Sequence, residues 1–127
     1  MFEYYNKNPQ GKNVGDCTVR AISKATGTDW DKTYIDLCLQ GLADADMPSS
    51  NAVWGHYLSA IGYRRHLVPD YCPDCYTVSR FADDHSVGTF ILALSGHVVC
   101  VQDGIIYDSW DSGNEIVLYY WCKERND

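Results

Sequence analysis

A cysteine at the first turn of a predicted helix is the residue of this chain best placed to do chemistry. In Gly15-Asp16-Cys17-Thr18-Val19-Arg20-Ala21-Ile22 a glycine and a good N-cap residue precede Cys17, and Val19, Ala21, Ile22 and Ala25 make the following segment largely apolar. A thiol at a helix N-terminus sits at the positive end of the helix dipole, which favours the thiolate. To act as a nucleophile it needs two further groups. One is a base that takes or holds its proton, and the other is a carboxylate or amide that fixes the base.

A hairpin supplies both. Asp103-Gly104 is a strong two-residue turn signal between two runs of strand formers, His97 to Gln102 and Ile105 to Trp110. With Asp103 and Gly104 at the turn, Gln102 faces Ile105, Val99 faces Asp108 and His97 faces Trp110. Directly opposed residues share a sheet face, as do alternate residues along a strand. His97, Val99, Ile106, Asp108 and Trp110 are therefore expected on one face, with Asp108 diagonal to His97. Asp108 is placed to accept a hydrogen bond from one ring nitrogen and raise the basicity of the other. Trp110 is placed to screen that bond from water. Cys100 and Asp111 fall on the opposite face, which argues against a Cys100–His97 pair. The competing interpretation is structural: a histidine on a hairpin, a helix-capping aspartate and an inert buried cysteine.

The elements that must position these groups read as follows. Residues 1–16 form an irregular lead-in rich in turn formers. Helices are expected from about Cys17 to Thr26, with Asp16 as N-cap and Gly27 as the stop, from the Thr28–Asp31 segment to about Ala43, and from about Asn51 to Ile61. Thr28-Asp29-Trp30-Asp31 resembles a capping box for the second helix, whose Trp30, Tyr34, Leu37, Cys38 and Leu42 are available for one face. Tyr63 to Val68 reads as a strand, 70–76 as a loop and Thr77 to Asp84 as a short helix. Thr89 to Leu94 and Ile116 to Cys122 are further strands flanking the hairpin. Helices first and antiparallel strands later predict an α+β domain.

Composition narrows the function. The 127 residues predict one domain, and 46% hydrophobic residues with four Trp and ten Tyr are enough for a sizeable core. The formal charge of -7, with no basic cluster beyond Arg64-Arg65, argues against nucleic-acid binding, which rests on phosphate neutralisation. The acidic balance favours a basic substrate over an acidic one. No apolar run is long enough to span a bilayer, and Met1-Phe2-Glu3-Tyr4-Tyr5 lacks the basic and apolar regions of a signal peptide. The expected location is the cytoplasm, where six cysteines are thiols or ligands and not a disulfide framework.

The order Cys, His, Asp, with a helix after the cysteine and a later sheet carrying the other two, resembles the papain-like cysteine peptidases. Those enzymes carry Asn-Ser-Trp at the orienting position, and this chain has Asp108-Ser109-Trp110. Bacterial relatives of the bacteriocin-processing type often pair Asp-Cys with an orienting Asp, as Asp16-Cys17 and Asp108 do. The patterns Gly-Asp-Cys…Arg-Ala-Ile and His-Val-Val…Asp-Gly…Tyr-Asp-Ser-Trp-Asp are similar to those of small papain-like proteins of gut bacteria and their phages. The resemblance runs from about Asn8 to Trp121. It implies a single papain-like domain over 1–127, with N-terminal helices packed on a C-terminal antiparallel sheet. It also implies catalysis by Cys17, His97 and Asp108 without a cofactor. One feature departs from the pattern: the oxyanion-holding glutamine expected about six residues before the cysteine is replaced by Gly11, which leaves Asn13, or else Gln10, to supply that amide.

Other candidates carry less. Cys72-Pro73-Asp74-Cys75 has the spacing of half a zinc site, with His66 and His85 the nearest completing ligands, but no second pair follows and a reduced turn is the simpler account. The strand-to-helix context of a thioredoxin-like redox motif is missing. Tyr119-Tyr120-Trp121 reads as strand packing before it reads as an aromatic ligand groove. The expected activity is that of a cysteine peptidase or amidase on a protein or peptide. Two alternatives stand beside it: a non-catalytic protein-binding module on the same fold, and an acyltransferase of transglutaminase type using the same three residues.

Overall fold

A computed structural model describes residues 1–68 and 75–123. The chain runs β1 (Phe2–Tyr4), α1 (Cys17–Thr26), α2 (Trp30–Asp44), α3 (Asn51–Ala60), β2 (Tyr63–Leu67), α4 (Val78–Asp84), β3 (Thr89–Leu94), β4 (His97–Gln102), β5 (Ile105–Asp108) and β6 (Tyr119–Lys123). The architecture is α+β, with four helices among the described residues around a six-stranded sheet of order β1-β5-β4-β3-β6-β2.

The sheet is mixed, not antiparallel. β1, read from sequence as irregular lead-in, joins its edge in parallel with β5, pairing Phe2 with Ile106 and Tyr4 with Asp108. Three residues show too little alternation to declare a strand, and the pairing that makes them one lies a hundred residues away. The other ladders are antiparallel. The last strand begins later than expected, at Tyr119, because Ile116 makes only an isolated bridge to Thr77 and the Val117 N–H donates to the Tyr76 carbonyl.

Both faces of the sheet are covered. Ala21 and Ile22 of α1, Leu37 of α2, and Trp54 and Leu58 of α3 pack on Ile91, Ala93, Val98, Cys100 and Trp121. Phe81 and Ala82 of α4, with Tyr76 and Val117, pack on Leu92, Leu94, Val99, Val101 and Ile106. This explains why β3 and β4 are nearly continuous apolar runs: a strand buried on both sides has no solvent face to mark with polar residues. Tyr119 and Trp121 lie with the first layer and Tyr120 with the second, so the aromatic triplet is strand packing.

Local chemistry sets the boundaries. Asp29 caps α2 by accepting from the Lys32 N–H, and Thr77 caps α4 by accepting from the Arg80 N–H. The hairpin turn has positive φ at both central residues, 51° at Asp103 and 76° at Gly104, as a two-residue turn of this twist requires. The register is the expected one, Gln102 opposite Ile105 and Cys100 opposite Tyr107.

α2 is rotated relative to the face read from its sequence. Its buried residues are Thr33, Leu37 and Gly41, while Leu42 is exposed and Tyr34 half-exposed. Gly41 explains the rotation: a Cβ there would lie 2.8 Å from the Asp46 carbonyl oxygen and 3.3 Å from Pro48 N, so the helix turns its smallest residue toward that segment. Among the described residues no helix is long and apolar enough to cross a membrane.

Candidate active site

α1 begins against the open end of the β4–β5 hairpin. Cys17 is its first residue, His97 the first of β4 and Asp108 the last of β5, so three element termini meet. Nε2 of His97 bonds Asp108 Oδ2 at 2.7 Å. The Cys17 thiol lies beside the same ring and the Val98 backbone, close enough that both favour its ionised form. Because Nε2 is committed to the carboxylate, Nδ1 is the nitrogen left for sulfur. The sequence-derived trio Cys17, His97 and Asp108 is thus brought together, the ring bonded to the carboxylate and flanked by the thiol. Val99 and Ile106 share a core layer and Cys100 lies in the opposite one, as the hairpin register requires.

Asp108 is fully buried and accepts four hydrogen bonds. Oδ1 receives Arg20 Nη2 at 3.0 Å and the Ser109 N–H at 2.8 Å, and Oδ2 receives His97 Nε2 and, at 2.7 Å, the Ser112 hydroxyl. An oxygen pair that only accepts is an ionised carboxylate. Burial pushes its pKa up, but the bonds from His97 and Ser112, the His97 charge and the Ser109 N–H outweigh that and hold it below the usual range.

The same balance acts on the other two groups. Burial opposes the imidazolium, yet the bonds to Asp108 and Cys17 and their charges raise His97 from 6.5 to about 9. Burial also opposes the thiolate, and the contacts with His97, the Val98 backbone and Thr18 bring Cys17 below its ordinary value. The two shifts run in the same sense: each favours the ion pair, drawing the proton toward the ring and negative charge toward sulfur. Cys100 is the contrast. Burial drives it up to about 12, which leaves it an inert thiol.

Asp16 occupies the N-cap position but makes no side-chain cap on α1. Its carboxylate goes elsewhere. Oδ1 takes Arg20 Nη1 in a buried ion pair, and Oδ2 takes the Trp30 indole N–H at 2.9 Å. The helix N-terminus at Cys17 is thereby left without that competitor for its first N–H groups.

A cleft of about 860 Å³ opens over the thiol. Trp30, Tyr34, Pro48, Ser109, Trp110 and Asn13 line it with Cys17 and His97. The Trp30 and Tyr34 rings are stacked, 5.0 Å between centroids. Trp110 covers His97 with 4.8 Å between centroids while remaining half-exposed. Of the two candidate oxyanion amides, Asn13 reaches the cleft. Gln10 is exposed and lies outside the lining, with its backbone N–H spent on the Asn8 side chain.

Sequence reading missed Arg20, Ser112 and the Trp30–Asp16 contact. Arg20 did leave a signal, since it stands four residues after Asp16 on a helix flanked by buried Ala21 and Ile22, and an arginine there needs a buried anion. Ser112 left none. Of the zinc candidates, Cys72 lies outside the described residues and Cys75 is exposed, while His66 and His85 both pack on the Tyr120 ring. Among the described residues no three His, Cys, Asp or Glu side chains are grouped to hold a metal. Comparison of the chain with protein-family models, with curated proteins and with solved structures returned no match.

Proposed function

We propose that the chain is a papain-like cysteine peptidase or amidase that cleaves a peptide or isopeptide bond of a protein or peptide substrate. The observation that carries this reading is the convergence of Cys17, His97 and Asp108, with His97 bonded to Asp108 and both Cys17 and His97 lining one cleft.

The geometry supports a two-step acyl transfer. The Cys17 thiolate attacks the substrate carbonyl carbon, and the carbonyl π electrons move onto oxygen. The resulting oxyanion is held by the Cys17 backbone N–H, uncontested by the Asp16 side chain, with the amide of the cleft-lining Asn13 as second donor. The imidazolium of His97 gives its Nδ1 proton to the leaving nitrogen as the C–N bond breaks, leaving a thioester on Cys17. His97 then takes a proton from water, hydroxide adds to the thioester, and the acid product departs with regeneration of the thiolate and imidazolium. Asp108 keeps Nε2 protonated and the ring aimed at sulfur throughout.

The test is competitive alkylation of the native protein with iodoacetamide, located by peptide mapping. Cys17 is expected to label faster than Cys38 at pH 6, and His97→Ala to abolish the difference. Equal labelling of Cys17 and Cys38 in the wild type sinks the proposal.

A further inference from the structure

Arg20 is a buried cation set between two buried carboxylates, and the second of them, Asp108, is eighty-eight residues away on another element. Its two terminal guanidinium nitrogens are divided between them, Nη1 to Asp16 and Nη2 to Asp108 Oδ1. We propose that Arg20 is a positioning residue of the Cys17–His97–Asp108 site, which holds the Asp108 carboxylate with Oδ2 toward His97, offsets its charge, and thereby sets the pH window of the thiolate–imidazolium pair. This rests on the reading of Cys17 as an activated nucleophile.

The orienting part follows from the division of labour on Asp108. Arg20 and the Ser109 N–H occupy Oδ1, so the carboxylate cannot turn that oxygen to the ring without losing a charge-assisted bond. Because Arg20 belongs to the helix that begins with Cys17, one side chain fixes the distance between the nucleophile's helix and the strand bearing the orienting acid. The planar, two-ended guanidinium suits this, where an ammonium would serve one carboxylate at a time.

The electrostatic part has a definite sign. The titratable and charged groups on the elements packed at the pair are Asp16, Arg20 and, one turn beyond it, Lys24 on α1; Glu3 and Tyr4 on β1, with Tyr5 just after it bonded through its N–H to the Asp108 carbonyl; Tyr107 and Asp108 on β5; Asp111 in the loop beyond; and Tyr34 of α2, which lines the cleft. Lys24 is engaged over the Tyr107 ring, 4.2 Å from its centroid. Arg20 is therefore the cation bonded to the orienting acid. Removing it leaves Asp16 and Asp108 uncompensated, and the added negative potential binds both the Cys17 proton and the His97 proton more tightly. The acid and alkaline limits of the ion pair must both move to higher pH. A purely structural loosening lowers the rate without moving both limits together.

The experiment measures the rate of Cys17 alkylation by iodoacetamide from pH 4 to 10, in the wild type, Arg20→Gln and Arg20→Lys, with thermal melts as the folding control. Arg20→Gln is expected to shift both limits up by about half a pH unit or more, and Arg20→Lys to restore most of that shift. In an Asp108→Asn background, Arg20→Gln is expected to add a clearly smaller shift than it does alone. If Arg20→Gln does not melt cooperatively, Asp16→Asn is compared with Asp16→Asn/Arg20→Gln, a background without the unpaired Asp16 charge, and the same upward shift is required. Limits unmoved in a folded Arg20→Gln variant overturn the assignment while the wild-type window stands. A wild-type Cys17 that titrates like an ordinary thiol overturns the functional reading itself, and the assignment falls with it.

Discussion

His97 gives Nε2 to Asp108 at 2.7 Å and is left with Nδ1 for Cys17. This fixes the order of the chain: acid, ring, sulfur. It also gives the buried Asp108 carboxylate a partner on every side: His97 toward the thiol, and Arg20, Ser109 and Ser112 at its far end.

Asp108→Ala should therefore damage both reactivity and stability. Cys17 alkylation at pH 6 is expected to fall at least about tenfold, because the ring loses the acceptor that keeps its proton and its orientation. Stability is expected to fall by about 3–5 kcal/mol, since Arg20 keeps its charge in a buried position and loses one partner. Urea denaturation and timed alkylation measure the two. A folded variant with wild-type labelling at pH 6 removes Asp108 from the site.

Trp110 makes a separable prediction. Its ring lies against His97 yet is 45% exposed, so truncation costs little packing. In Trp110→Ala, water reaches the His97–Asp108 bond and weakens it. Alkylation of Cys17 at pH 6 is expected to fall severalfold, with stability changed by less than about 2 kcal/mol. The His97 Nε2 proton, followed by NMR, should exchange with water faster than in the wild type. An unchanged exchange rate contradicts the screening role.

The oxyanion assignment is tested by comparing two reagents. Alkylation develops no charge on a carbonyl oxygen, whereas acylation by a p-nitrophenyl ester does. Asn13→Ala is expected to slow release of p-nitrophenolate about tenfold to a thousandfold and leave iodoacetamide labelling unchanged. Gln10→Ala should alter neither, because Gln10 lies outside the cleft. If Gln10→Ala produces the ester defect instead, the assignments exchange.

What the sequence could disclose of this site divides by range. The Asp103-Gly104 turn carries its own register, and from it the diagonal of His97 and Asp108 follows without any tertiary knowledge. Helix boundaries were legible for the same reason, since Asp29, Thr77 and Gly27 act on neighbours within a turn. The parts that did not show depend on partners far away in the chain. Phe2–Tyr4 becomes a strand only against β5, and Arg20 acquires its purpose only from Asp108. The cap assigned to Asp16 was a local inference overridden by such partners, because a guanidinium and an indole N–H claim its oxygens. The outward turn of Leu42 likewise depends on how closely Gly41 meets the segment before Pro48.

The coupling of charge to folding gives a final test with a definite sign. His97 is raised from 6.5 to about 9. A raised pKa means that the folded state binds the proton more tightly, so the stabilisation is fully present below pH 6.5 and is lost as pH climbs toward 9. Cys17, lowered from 9.0, contributes the opposite slope, because its stabilisation is present above that value and is lost as pH falls. In the wild type the two partly cancel. Cys17→Ser removes the thiol's contribution and exposes that of His97, whose pKa stays raised by Asp108 although it loses the part owed to sulfur. Urea unfolding of Cys17→Ser, referenced to Cys17→Ser/His97→Gln to subtract all other titrating groups, should show stability falling by about 1–2 kcal/mol as pH rises from about 6.5 through the folded pKa. Most of the fall should lie below about pH 9. A difference that stays flat, or grows with pH, means that His97 does not hold its proton against Asp108.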